Sequence, residues 1–333
     1  MTHPKSNAAY RLGIVNPLTL VGKEIKTILR ERSFPFARVA LLDSSGKAAG
    51  ALTEIDDEPT VVGAASDDEL EDLDLVFFCG PPAANREWID HHIQDGFIVV
   101  DTSQPSTIGK GKLAVAGVNL EEVAAGDTLL ISPHPIAIPI ALMLHQIAML
   151  SPVESCVANV VQPASEFEQA GVEELAQQTI SVLNIKSVPK EIFDRQLAFN
   201  LYPALERNEE FIVDQIRTLT DPDAELALFV TQGTIFHGHT FSLFVKTRDD
   251  LAVDQIVSRL GDNPAIVLPE GDQAFGTIDA AGKDEVLVAE VRRDPAIRGG
   301  FWLWAVCDNL RRSSALNAVL VAEKVLLGAG GTN

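Results

Sequence analysis

The feature that most restricts the fold is an alternation in the first third of the chain. Short apolar runs recur there: RLGIV (Arg11–Val15), RVALLD (Arg38–Asp43), LDLVFFCG (Leu73–Gly80) and FIVVDTS (Phe97–Ser103). Between several of them lie amphipathic stretches. In LVGKEIKTILRER, Val21, Ile25, Ile28 and Leu29 share one helical face. Strand, helix, strand in this order implies a parallel sheet with helices on both faces.

The pattern changes near residue 150. SCVANVVQPAS reads as a strand, and QAGVEELAQQTISVL and NEEFIVDQIRTL read as amphipathic helices. Strand-like runs follow with few helices between them: ELALFVTQGTIF, TFSLFVK, AIVLP, EVLVAEV and GFWLWAV. That order predicts a mixed sheet with helices on one side. NLRRSSALNAVLVAEKVLLG reads as one long terminal helix stopped by Gly328. The expected organisation is α/β in two domains. Residues 1–130 with 306–333 form a Rossmann-like domain, and 131–305 form an α+β domain with a mixed sheet.

One run in the second domain bears on assembly. ELALFVTQGTIF is apolar at both parities, with Leu226, Leu228 and Val230 on one face and Ala227, Phe229 and Ile235 on the other. The two helices at about 169–183 and 208–219 suffice to cover one face. The second face needs another cover, and a two-fold partner sheet supplies it, so a homodimer is expected.

Charge and cysteine usage exclude some classes. Forty-seven acidic against 26 basic residues give a formal net charge of −21. Nucleic acid and anionic membranes require a basic face, so neither is expected as a partner. No uninterrupted apolar run approaches the ~18 residues of a membrane span, and the N-terminus lacks a signal-peptide core, so a cytoplasmic protein is expected. Three widely spaced cysteines, Cys79, Cys156 and Cys307, indicate no disulfide framework. Cys156 falls in an apolar strand-like run and reads as a small buried residue. His134, His145 and His237 show no ligand spacing, so no metal site is expected.

ISPHPIAIPIALML (Ile131–Leu144) places Pro133, Pro135 and Pro139 where a buried helix begins. Proline suits the first helical position, because its φ is preset and its missing N–H would be unpaired there.

Several motifs, in order, resemble the aspartate-semialdehyde dehydrogenase family. They are AGVN (Ala116–Asn119), VVQPASEFEQAGVEELAQQT, RQLAFNLYP (Arg195–Pro203), HGHTFSLFV (His237–Val245) and DNLRRSSALNAVLVAEKVL (Asp308–Leu326). The resemblance runs from Arg11 to about Leu327. It implies the family's fold, with a semialdehyde-dehydrogenase-type dimerisation domain, and a chemistry. A cysteine thiolate attacks aspartyl phosphate, a thioester forms, and hydride from NADPH releases the semialdehyde.

The residues that would carry this chemistry are altered. The family's Asn-Pro-Asn-Cys motif falls on SPHP, which places Pro135 at the nucleophile position. The substrate-gripping arginine, seven residues before the Gly-His-Ser histidine, falls on Gln232. Thr107 stands near the phosphate-site arginine and Ile212 near the helix lysine. His239 and Gln162 occupy retained family positions. In an active relative they are the acid–base and substrate-positioning residues, and the simpler reading of His239 is a strand-end hydrogen-bonding residue. On the cofactor side the glycine-rich loop falls on NPLTLVG. Gly22 is kept, whereas Asn16 and Thr19 take glycine positions. Asp43, followed by Ser44, ends the second strand. An aspartate there suits a ribose diol, hence NAD over NADP, or simply starts a turn. The expected cofactor is therefore none or weakly bound NAD.

Two function classes remain. One is a pseudoenzyme of the family, lacking the catalytic cysteine, with a binding, scaffolding or regulatory role that includes association with an active paralogue. The other is an active oxidoreductase of amino-acid biosynthesis acting on a semialdehyde or acyl phosphate with altered chemistry, using His239 and His134.

Overall fold

The first strand of the first unit is β1 (Tyr10–Val15), whose last four residues are buried. The structure is a computed structural model, and it describes residues 9–92, 96–103, 111–124, 126–204, 208–270 and 273–328. Then follow α1 (Leu20–Glu31), β2 (Phe36–Asp43), the hairpin β3 (Leu52–Ile55) and β4 (Glu58–Val61), β5 (Gly63–Ala64) and α2 (Asp67–Leu70). Next come β6 (Leu75–Phe78), α3 (Pro82–His92), β7 (Ile98–Asp101), β8 (Lys112–Leu113) and β9 (Leu129–Ile131). Seven strands make one sheet in the order β5-β2-β1-β6-β7-β9-β8, with every pairing parallel. This is the Rossmann-like sheet that the alternation implies.

The terminal helix, Leu316–Leu327, packs with α1 over this sheet. Val319 and Ala322 join Ile25, Ile28 and Leu29 above Leu12, Ile14 and Phe77. Two polar devices fix it there. Arg32 at the end of α1 makes a bidentate pair with Glu323, both contacts at 2.7 Å. Buried Asn317 donates to the Ala114 carbonyl and Ser132 Oγ and accepts from the Ala116 amide. Removing either partner would leave a buried polar group unpaired.

The second unit contains α4 (Ala137–Ala148), β10 (Val153–Gln162), a 3-10 turn (Ala164–Phe167), α5 (Glu168–Leu183), β11 (Leu201–Pro203) and α6 (Glu209–Leu219). It continues with β12 (Glu225–Gly233), β13 (His239–Thr247), α7 (Val253–Gly261), β14 (Ile266–Val267), α8 (Thr277–Ala280), β15 (Val286–Arg293) and β16 (Gly300–Cys307), and the terminal helix is α9. Its sheet runs β11-β12-β10-β13-β16-β15-β14. β10 pairs parallel with β12 and antiparallel with β13, so the sheet is mixed.

Five details depart from the sequence reading. Helix α4 starts at Ala137, so Pro135 lies before it and Pro139 is its third residue. Proline is tolerated there because the first four N–H groups of a helix have no intrahelical acceptor. Strand β12 stops at Gly233, which removes Ile235 from the sheet face. The terminal helix is shorter than expected: a π-helical turn, Arg311–Ala315, precedes α9, and the Ser313 amide donates to the Asp308 carbonyl five residues back. The chain returns to the first unit at Ser314 rather than 306, and leaves it after His134 rather than 130. The reason at the far boundary is that β16 runs to Cys307, whose Sγ meets Ser313 Oγ at 3.1 Å.

The fifth departure concerns cover for the sheet. Helices α4, α6 and α7 lie against it, whereas α5 packs chiefly on the segment that follows it and reaches the sheet at Tyr202 of the edge strand β11. The polar stripe of α5 explains this. Glu174 accepts from the amides of Glu191, Ile192 and Phe193, and Gln178 accepts from those of Leu197 and Ala198. Leu175, Phe193, Leu197 and Tyr202 form a separate small core beside it. So α5 holds the segment that follows it.

Candidate functional site

In the first unit the candidate site is the loop from β1 into α1. Asn16 has φ +61°, a conformation that glycine and asparagine adopt most easily. Its side chain is buried and fully engaged. Nδ2 donates to the Cys79 carbonyl at 2.7 Å and to Asn85 Oδ1 at 3.0 Å, while Oδ1 accepts from Ser44 N and Ser44 Oγ, both at 3.0 Å. Asn85 of α3 closes the knot by donating to the same Cys79 carbonyl.

Thr19 caps α1. Its Oγ1 accepts from the Gly22 amide at 3.1 Å and donates to the Asn16 carbonyl at 2.8 Å. A helix N-terminus offers such amides to phosphate, and here a side chain of the loop takes one. Pro17 has no N–H to offer. Gly22 is required by close packing, since a Cβ there would sit 2.7 Å from the Asn16 carbonyl oxygen. Asp43 holds the turn after β2 through Ser45 Oγ and the Ala48 amide, and the Ser44 carbonyl accepts from Trp88 Nε1. Gly22, Asp43 and Ser44 are thus brought together, each in an internal contact.

In the second unit three singled-out residues meet at one end of the sheet. Gln162 ends β10 and stands in register with Gln232 of β12. His239 begins β13, one step past the pair Val161–Thr240. Gln162 Nε2 donates to Gln232 Oε1 at 2.8 Å, and Gln232 Nε2 lies 3.3 Å from the carbonyls of Gln162 and Gly233. Both amides are buried and serve each other.

His239 is fully buried, with Nε2 3.3 Å from Glu166 Oε1. Glu166 also accepts from Asn309 Nδ2 at 3.0 Å, and Asn309 Oδ1 accepts from the Gly238 amide. Glu166, Ser165 and Asn309 were missed from sequence because 143 residues separate Glu166 from Asn309. The only available signal was that both fall in family-like motifs.

These two units match two family models. Residues 12–125 match the semialdehyde dehydrogenase NAD binding domain, and residues 146–312 match the semialdehyde dehydrogenase dimerisation domain. This chain belongs to the aspartate-semialdehyde dehydrogenase family. The aspartate-semialdehyde dehydrogenase of Aquifex aeolicus is 25% identical over 94% of this chain and 97% of its own length. A USG-1 protein homolog from Azotobacter vinelandii is 29% identical over 96% of this chain and 98% of its own. The crystal structure of aspartate semialdehyde dehydrogenase II from Vibrio cholerae, complexed with ASA, superposes with a TM-score of 0.92 at 26% identity, covering 97% of this chain and 99% of that one.

Within this semialdehyde dehydrogenase frame the thiols are inaccessible. Cys79, Cys156 and Cys307 are all buried. Desolvation pushes the Cys156 and Cys307 thiols up to about 12, so neither is a thiolate near neutrality. Pro135 is buried just before α4. Burial lowers His134 to about 3, which makes it a weak base. Ile212 sits in the core side of α6. Thr107 lies outside the described residues. Among the described residues, Asp67, His91 and His92 form a group able to hold a metal ion, which the sequence reading did not expect. No described helix is long and apolar enough to cross a membrane.

Proposed function

We propose that this family member is a pseudoenzyme: a homodimeric protein with a binding, scaffolding or regulatory role on a dehydrogenase frame. The observation that carries the reading is Pro135, which stands where the motif comparison puts the nucleophilic cysteine. Proline supplies neither a thiolate nor an N–H for an oxyanion. No other thiol substitutes, since Cys79, Cys156 and Cys307 are all buried, and desolvation keeps Cys156 and Cys307 protonated. Loss of a nucleophile costs about a millionfold in a well-measured hydrolase. Gln232, at the substrate-arginine position, is neutral and already committed to Gln162.

The loop chemistry supports weak or no dinucleotide binding. A pyrophosphate needs bare backbone at the helix start. Here Asn16 and Thr19 fill that space, so the residues do not fit the group. Asp43 adds a carboxylate unfavourable to a 2′-phosphate, so NAD binds better than NADP if either binds.

The sheet face opposite α4, α6 and α7 supports the homodimer. Phe229 is 50% exposed, Val157 52% and Trp304 38%. The register aligns Phe229, Asn159, Ser242 and Trp304 in one row across β12, β10, β13 and β16, with Ala227, Val157, Phe244 and Trp302 in the next. An active paralogue carrying the equivalent face would dock in the same way.

Steady-state oxidation of aspartate semialdehyde with NADP and phosphate, followed by nicotinamide absorbance, tests the reading. No turnover above background is expected, and Pro135→Cys alone restores none because Gln232 remains. Calorimetry is expected to show NADP binding no tighter than about millimolar. Turnover by the wild-type protein, lost on His239→Ala, would overturn the proposal.

A further inference from the structure

Helix α3 ends in two adjacent histidines, and α2 begins with Asp67. Neither takes part in the site described above. His92 Nε2 lies 3.3 Å from Asp67 Oδ1. One ligand atom from each of Asp67, His91 and His92 can be chosen so that all three lie within 4.8 Å of one another. We infer that Asp67, His91 and His92 form a site for one divalent transition-metal ion of the zinc class, with at least one coordination position left for water or an incoming ligand.

The distances suit such an ion. Nitrogen and oxygen bind zinc at ~2.0–2.2 Å, so two ligands of a tetrahedral centre stand about 3.4 Å apart. The His92–Asp67 pair is already at that separation. Two ligands of one ion can lie at most ~4.2 Å apart, twice a bond length. At tetrahedral geometry the widest of the three pairs, within 4.8 Å here, therefore needs to close by up to about 1.4 Å. Asp67, with a side chain 75% exposed, and exposed His91 have the rotamer freedom to do so.

The anchor of the site is rigid. His92 is buried, its ring stacked on Trp88 at 5.6 Å and 9° and tilted against Phe97 at 6.2 Å. Trp88 is itself held by its bond to the Ser44 carbonyl. A ligand ring fixed by its neighbours loses little freedom on coordination. His91 meets His92 edge-on at 4.8 Å. Adjacent residues on a helix point about 100° apart, so two rings this close converge rather than splay. The end of α3 carries negative partial charge, which favours a cation there.

The full chain, freed of metal with a chelator, is titrated with ZnCl₂ by calorimetry and with Co²⁺ by visible absorption. One equivalent of each is expected, with the intense ligand-field bands of a low-symmetry Co²⁺ centre. Cu²⁺ bound beside His92 quenches the emission of Trp88, so the fractional quenching falls in Trp88→Phe. Asp67→Asn and His91→Ala each weaken Zn²⁺ binding at least about tenfold. Thermal unfolding in chelator checks that both variants fold as the parent does, as expected for exposed positions. Absence of saturable binding overturns the inference. So does binding as tight in both variants as in the parent protein, which would place the ion elsewhere.

Discussion

The loop after β1 and the outer face of the second sheet meet the same physical problem in opposite ways. In the loop, groups that a phosphate would contact are bonded internally: Asn16 makes four side-chain contacts, and Thr19 takes the Gly22 amide. On the sheet, Val157, Phe229 and Trp304 stay exposed. The first region has closed on itself and the second has not. A surface that keeps large apolar groups bare is one that something else covers. The pseudoenzyme proposed above would in this way keep an assembly face without its catalytic groups.

The largest expected effect breaks the second half of that comparison. Phe229→Glu buries a charge in each half of the two-fold interface, at a cost of ~3 kcal/mol or more, so dimer dissociation strengthens over a hundredfold. Light scattering at micromolar protein checks it, and a monomeric wild type would remove the reason for the bare face. Next is the loop. Asn16→Ala strips four contacts from buried groups and puts alanine at φ +61°, with a loss of about 3 kcal/mol in denaturant unfolding. Asn16→Gly relieves the backbone and loses roughly 1 kcal/mol less, without creating tight NADP binding.

Gly22→Ala drives a Cβ against the Asn16 carbonyl oxygen and Pro17 Cα, which are backbone atoms that cannot swing away. About 2 kcal/mol of destabilisation is expected, with the shift read as a lower Tm. The smallest effect belongs to the cap: Thr19→Ala loses about 1 kcal/mol and Thr19→Ser almost none. If Thr19→Ala instead raises affinity for NAD, the filled loop is a gate on a working pocket, and the comparison fails on that side.

The legible and illegible parts of the sequence divide along clear physical lines. Strands β1, β6 and β7 were readable because burial on both faces demands continuous apolar runs. The parity of β12 was readable from its alternation, with Leu228 and Val230 turned inward and Ala227 and Phe229 outward. The task of α5 was not. Its apolar periodicity resembles that of a sheet-covering helix, and only the backbone amides that converge on Glu174 and Gln178 show otherwise. At the strand ends, His239, Gln162 and Gln232 could be singled out by motif, but the bond between the two glutamines and the Glu166–Asn309 support of His239 could not.

By itself the sequence determined the layer architecture and the residue types that stand at each motif position. Periodicity dictates which face each element buries, and residue identity dictates whether a thiol or a guanidinium exists at a position at all. Tertiary structure alone decided how the remaining polar groups are satisfied. Asn16 reaches Asn85 across 69 residues, and Asp67 at the start of α2 reaches His92 at the end of α3. Hydrogen bonds and ion coordination depend on distances of a few tenths of an ångström, and a linear spacing does not encode such distances once the chain has folded back on itself.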